Sequence, residues 1–542
     1  MRLGLHVLEE CGAANPGGPS MWCNTQVTYS PSPDNARSES ELETNPLNPL
    51  NVVGASKRFI DPKTYHFTLA AYASFDGGES WTEAPPLALL DDPDPNKKWS
   101  GISDPVIAWD GAGNCYLVAL PFPRDASPFV TVGIAVYRST DGGLTWSAPN
   151  FIHPNTARTD DKQWAASDRN RRSRYFGNVY IAWDDGSNLA FARTTDRGAT
   201  WRGFGTHPVG AALASDSFAP SIAVTDDGSI FIFWIAGGTI KFVKSTDGGE
   251  SFSSPAVVAT GLTTLSVLPK PGGFPEFPGG RFRVLTLPTA CAGSGQRVLV
   301  AWADFRDGVS RIYYRRTTDG GATWQGPASG QALLAPSVAS RPNQQDFHPQ
   351  LASRPGGEIA CCFYEFGPKW PGGPPWIDVI IATSHDGGAT FAERETVTNV
   401  PWDPELDAPL SHGDVRTTFI GDYFGLVGSD RGFLPFWTDT RTGIQEIFCG
   451  RKMTVGPWVG VQFRGRIGAH QKQRWFTFNW PACWHVAWTV VPINPRLGAP
   501  QVRWRVQVER ASSGYITYWI SITNLTDAAA EVEARYAIFA RD

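Results

Sequence analysis

Six octets of one pattern, Ser/Thr-x-Asp-x-Gly-x-Ser/Thr-Trp/Phe, recur along the chain, and any fold must place all of them. They are SFDGGESW (74–81), STDGGLTW (139–146), TTDRGATW (194–201), STDGGESF (245–252), TTDGGATW (317–324) and SHDGGATF (384–391). Their aspartates, Asp76, Asp141, Asp196, Asp247, Asp319 and Asp386, lie 65, 55, 51, 72 and 67 residues apart. Self-similarity at such intervals belongs to solenoids and propellers.

Each octet follows an alternating run, such as VTVGIAVYRS (130–139) or SRIYYRRT (310–317), and precedes a shorter segment. That context predicts a hairpin turn between two strands. A short Asp side chain accepts hydrogen bonds from its own turn, glycines supply positive φ, and the closing Trp or Phe is an apolar anchor. Six equivalent copies spread around an array cannot converge on one centre, so the six aspartates read as structural.

At 542 residues the chain exceeds one core of roughly 250–300 residues. Apolar residues at 42%, charged residues at 18%, 56 Gly, 43 Pro and 22 Trp describe a turn-rich all-β protein. A net charge of −5 argues against nucleic-acid binding. The eight cysteines show no metal-ligand spacing; a Cys11–Cys23 disulfide or buried thiols are the two readings. No cofactor or metal is expected. The start, MRLGLHVLEECGAAN, lacks the apolar stretch of a signal peptide, and no run of about 18 apolar residues appears. A soluble chain without a membrane span is expected; its compartment is open, including secretion or surface attachment by a non-Sec route.

The octets resemble the Asp-box, or bacterial neuraminidase repeat, of the sialidase-like β-propellers, over about residues 25–455. The resemblance implies four-stranded blades. Six blades carry octets, and FIGDYFGLVGSDRGFLPFWTDTRTGIQEIFCGRKM (419–453) supplies three further strands. With TQVTYS (25–30) as their fourth strand the ring has seven blades; without it, six, the number usual in sialidases. Residues 1–24 are an N-terminal extension. From 456 to 542 the pattern changes to strands such as VRWRVQVE (502–509), with Val502, Trp504, Val506 and Val508 facing one way, which predicts a small β-sandwich. Its Trp-rich stretch RWFTFNWPACWHVAW (474–488) reads either as a sugar-stacking surface or as packing at a domain seam.

As third-to-fourth turns, the octets leave the opposite face to the second-to-third turns and inter-blade connections. Those carry Arg58, Arg124, Arg158, Arg306, Arg341, Arg416 and Arg441, with Asp104, Asp161, Asp184, Asp304, Glu365, Asp422 and Asp439 interleaved. Converging guanidinium groups would suit an acidic sugar or a carboxylate side chain; the other reading is local salt bridges within loops. Sialidases hold a carboxylate with three arginines, use a Tyr activated by a Glu as nucleophile, and an Asp as acid/base. Carried over by resemblance, Tyr423 in GDYFG, Tyr364 and Glu365 in FYEF, and Asp161 would take the catalytic roles, with Arg58, Arg306, Arg341, Arg416 and Arg441 binding ligand. The Arg-Ile/Leu-Pro element of those enzymes has only a distant echo, KRFIDP (57–62). The expected function is therefore recognition of an acidic glycan or a protein partner, with assembly through the C-terminal sandwich. The alternative is an exo-glycosidase of sialidase type with altered residues.

Overall fold

The computed structural model describes residues 22–30, 32–89, 99–123, 133–154, 159–370, 372–452, 458–482, 484–494, 498–512 and 515–540. All six octets turn the chain from the third to the fourth strand of a four-stranded antiparallel sheet, and there are seven such sheets. Blade 1 is Arg37–Thr44, Val52–Asp61, His66–Ser74 and Thr82–Glu83. Blades 2 to 6 span 99–154, 160–215, 218–260, 289–332 and 345–396. Blade 7 takes Gly425–Ser429, Gly432–Asp439 and Glu446–Lys452 from the chain's later part and Trp22–Gln26 as its outermost strand.

That outer strand starts at Trp22, three residues before the run expected to close the ring. It is also stitched to blade 6: Trp22 Nε1 donates to Glu395 Oε2 (3.0 Å), and Asn24 Nδ2 donates to the Val397 carbonyl (2.8 Å). Second strands such as Val179–Asp185 and Val298–Asp304 are buried along their whole length. They are sandwiched between neighbouring blades, so their sequences are continuous apolar runs.

The octets behave as one device. In blade 2, Ser139 Oγ donates to Asp141 Oδ1 (2.8 Å), Gly143 N donates to Ser139 Oγ (2.9 Å), and Thr145 N donates to Asp141 Oδ1 (3.0 Å). The same Ser/Thr-to-Asp bond recurs at Asp76, Asp196, Asp247, Asp319 and Asp386. Both glycines take positive φ, 80° and 95° at Gly142 and Gly143; in the third octet Arg197 stands at the first position with φ 63°. The second glycine is pressed against the preceding blade: a Cβ on Gly143 would lie 2.4 Å from Val53, on Gly198 2.7 Å from Tyr116, and on Gly388 2.5 Å from Leu299. Each Asp-box therefore knots its own turn and rivets it to the neighbouring blade.

The chain divides into two units, 1–451 and 452–542. The second has two three-stranded sheets: Trp458–Ile467, Ala530–Ala540 and His485–Pro492; and Lys472–Pro481, Tyr515–Asn524 and Val502–Arg510. Their shared core holds Trp480, Trp488, Tyr518, Ile520, Val532 and Ile538. Trp480 and Trp488, from the Trp-rich stretch, thus fill the sandwich interior. Val502–Arg510 is an edge strand, so Trp504 (37% exposed) and Val508 (63%) miss the burial that alternation predicted. Cys115, Cys291, Cys361, Cys362 and Cys449 are buried thiols, and Cys11 lies outside the described residues. No helix among the described residues is long and apolar enough to cross a membrane.

Candidate functional site

The innermost strands of five blades carry the same irregularity. Register slips between Ser38 and Glu41, Ser103 and Val106, Asp161 and Trp164, Phe218 and Ser221, and Phe347 and Gln350. Within each slip one non-glycine residue is left-handed: Glu39 (φ 50°), Asp104 (53°), Lys162 (52°), Ala219 (54°) and His348 (48°). In blade 7, Gly421 (φ 101°) takes the turn just before Asp422. A left-handed non-glycine residue costs about 1–2 kcal/mol, and a bulge re-aims the side chain it carries. Four of the five, Glu39, Asp104, Lys162 and His348, carry polar side chains toward the axis.

There they form a layer of ion pairs across blades. Lys57 Nζ lies 2.6 Å from Glu39 Oε2 and 3.5 Å from Asp104 Oδ1. Lys162 Nζ lies 2.6 Å from Asp422 Oδ2 and 3.7 Å from Asp104 Oδ2. Arg283 grips Asp422 with two bonds, Nε to Oδ1 (2.8 Å) and Nη2 to Oδ2 (2.6 Å). All six side chains are nearly inaccessible to solvent.

Burial and the partners pull these groups apart. Burial raises the carboxyls, but Lys57 and Lys162 outweigh it at Asp104 and hold that group at about 2. Arg283 and Lys162 likewise hold Asp422 below its ordinary range. Burial and the neighbouring Asp104 push Glu39 up to about 7.

Above this layer opens a cavity of about 280 Å³, lined by Tyr65, Phe122, Asp161, Phe218, Phe274 and His412 besides the ions. Two long inter-blade segments wall it: 261–288 brings Phe274 and Arg283, and 397–424 brings His412 and Asp422. They are tied together, Thr418 N donating to the Arg281 carbonyl (2.6 Å) and Arg283 N to the Thr418 carbonyl (3.2 Å). His412 is stacked between Tyr65 (4.7 Å, 23°) and Phe274 (4.9 Å, 17°). Lys57 Nζ sits 4.3 Å from the Phe67 ring centre and the Arg283 guanidinium 4.3 Å from that of Phe419. The cavity occupies the mouth opposite the Asp-boxes, because Tyr65 stands in the second-to-third turn of blade 1 while the boxes are third-to-fourth turns.

Of the residues picked from sequence, Asp161 lines this mouth, taking a hydrogen bond from Lys162 N (2.8 Å); burial pushes its carboxyl up. Tyr423 lies beneath the ion layer, edge-on to Trp164 (6.2 Å, 85°). Glu365 belongs to blade 6, between Arg394 (2.5 Å) and Lys369 (3.6 Å), so Tyr423 and Glu365 are held in different environments. Asp184, raised by burial to about 7, is bound to Ser217 and Ala219 N.

None of the five arginines named as ligand-binding lines this mouth; each has partners elsewhere. Arg306 and Arg441 bind Asp304 and Asp439, whose carboxylates also accept from Trp302 Nε1 (3.1 Å) and Trp437 Nε1 (3.0 Å). The Trp-x-Asp-x-Arg runs are thus turn locks. Arg416 pairs with Asp414 (2.6 Å), Arg58 with Glu83 (3.5 Å), and Arg341 donates to the Lys369 carbonyl (3.3 Å). Arg124 and Arg158 lie outside the described residues. The cations at the mouth are Lys57, Lys162 and Arg283, none singled out from sequence. A repeated x-Pro in innermost strands, in SDPVI, FAPSI and FHPQL, is a signal that marks three of the five bulges, those at Asp104, Ala219 and His348.

The axis also sets a pH dependence. Burial holds His348 at about 3, against 6.5 unfolded. Its contribution is complete above pH 6.5 and is lost as pH falls toward 3, because the unfolded chain takes up the proton first. Unfolding free energy is expected to drop by up to about 1.4 kcal/mol per pH unit in that window from this residue. His348→Asn, which tolerates left-handed backbone, is expected to reduce the slope of stability against pH by one proton.

A family model of the BNR/Asp-box repeat matches residues 137–148. No curated protein sequence matches the chain. Among solved structures, a protein of unknown function from Dyadobacter fermentans is 17% identical, with 66% of this chain and 96% of that one covered and a TM-score of 0.39. The NanB sialidase of Streptococcus pneumoniae is 13% identical over 62% of this chain and 67% of its own, with a TM-score of 0.41. A leech intramolecular trans-sialidase is 14% identical over 63% and 67%, also at 0.41. By its own sheets the chain is a seven-bladed β-propeller, and it carries the BNR/Asp-box repeat.

Proposed function

We propose that the mouth opposite the Asp-boxes is a glycan-recognition site, and that it takes an uncharged, hydroxyl-rich sugar in preference to an acidic one. The observation that carries this is the charge balance. Among the described residues, Lys57, Lys162 and Arg283 are each already paired, and the mouth's lining sets three carboxylates, Asp104, Asp161 and Asp422, against these three cations. An incoming carboxylate meets no uncommitted cation. Hydroxyls both donate and accept, so they can bridge paired ions, while the partly exposed Phe218 (39%) and Phe274 offer flat apolar faces to a sugar ring.

Asp161 favours a second reading, glycoside hydrolysis. Its carboxyl is pushed up while Asp104 and Asp422 nearby are held ionised, and carboxylates split in this way suit proton donor and charge stabiliser. A glycan array and a fluorogenic glycoside panel test both. Neutral glycans are expected to bind, with at least about tenfold loss in Phe274→Ala, the effect of a lost ring contact of about 1.4 kcal/mol. Turnover abolished in Asp161→Asn would establish the hydrolytic reading; an array silent to neutral sugars would remove the recognition reading.

A further inference from the structure

Beneath the ion layer the axis opens again, into a small cavity of about 40 Å³. Asp104, Lys162 and Asp422 border both this cavity and the mouth. Trp164 and Gln350 border both it and a third cavity of about 530 Å³ on the Asp-box side. Three spaces are therefore stacked through the propeller, and the smallest is the link.

Its lining carries polar atoms that the protein leaves unmet. Both ring nitrogens of His348, Tyr423 Oη and Gln163 Oε1 have no hydrogen-bond partner among the described residues, although these residues are only 3%, 8% and 3% exposed. The Gln163 amide nitrogen is committed to the Asp104 and Val118 carbonyls, so its oxygen is the free end. Buried polar groups are normally hydrogen-bonded, and three unsatisfied side chains on one small cavity call for a guest.

The unmet atoms define that guest. Tyr423 offers a donor, Gln163 an acceptor, and a neutral imidazole one of each. A metal ion cannot accept the tyrosine proton, and a simple anion cannot donate to the glutamine oxygen. Water does both, and the space suits about three or four molecules at roughly 10–15 Å³ apiece.

We propose that the propeller axis holds an occluded hydration site, in which water bonded to His348, Tyr423 and Gln163 backs the ion layer and continues the polar path from the Asp-box side toward the mouth. The left-handed bulge at His348 then serves to turn its imidazole onto that water.

The test is a crystal structure of the full chain that resolves ordered water, with a parallel crystal pressurised with xenon. Water within hydrogen-bond distance of Tyr423 Oη and the His348 ring, with xenon excluded, is the expected result. A dry cavity, xenon within it, or an anomalous peak from a metal or halide would overturn the proposal. In solution, oxygen-17 relaxation dispersion counts long-lived internal waters independently of crystals. At least one fewer is expected in Tyr423→Phe than in the wild type, and an unchanged count in the folded variant would also overturn it.

Discussion

Asp422→Asn is expected to lower the unfolding free energy of the propeller by about 3–5 kcal/mol, the cost of breaking a buried ion pair from one side. The isosteric amide keeps the volume and removes the charge that answers both Arg283 and Lys162. Those cations come from the segment 261–288 and from blade 3, while Asp422 precedes blade 7, so three separated parts of the ring lose one counter-ion. Glu39 stands 3.9 Å from Arg283 and already serves Lys57, so it does not replace the lost charge. Chemical denaturation followed by tryptophan fluorescence measures the effect. Asp414→Asn is the control, breaking a pair with Arg416 whose arginine is 64% exposed, and it is expected to leave the midpoint unchanged.

Gly143→Ala is expected to cost about 3 kcal/mol. The left-handed φ of 95° accounts for about 1–2 kcal/mol, and the methyl group would press to 2.4 Å from Val53 on the preceding blade, an overpacking strain of about 1–3 kcal/mol. The first position of an octet tolerates a side chain where the neighbouring blade leaves room, as Arg197 in the third octet demonstrates. Gly77→Asn, with its nearest neighbour the mobile end of Arg431 at 3.3 Å, is therefore expected to cost less than about 1 kcal/mol. Thermal unfolding of the two variants side by side separates riveting from turn-making; equal losses would mean that the second glycine has no inter-blade role.

The parts of this molecule that sequence makes legible are those where one short segment contains its own physical explanation. An Asp-box closes its hydrogen bonds within five residues, so its role and its count are readable, and seven blades follow once an early strand is assigned to the last one. The mouth is different, because its ion pairs join residues from five distant segments. Sequence drew attention to Arg58, yet Lys57, one position earlier, carries the charge at the axis, since successive strand residues face opposite ways and a one-residue difference exchanges inside for outside. Arginines close to an aspartate, in Trp-x-Asp-x-Arg, suggested a gathering of charge; proximity in sequence is what lets the aspartate keep them. The acid opposite Arg283 in its own segment, Glu276, is taken up by Thr417, and Arg283 reaches Asp422 instead. Left-handed bulges depart from simple alternation, and only their recurring x-Pro steps leave a trace.

The most direct measurement for the claim that function sits opposite the Asp-boxes is hydroxyl-radical footprinting of the full chain with and without a saturating neutral glycan from the array. Protection is expected at Phe218, Phe274 and His412, with Leu144 and Trp81 in the Asp-boxes oxidised as in the free protein. Protection confined to the Asp-box side, with the mouth aromatics unchanged, would contradict the account.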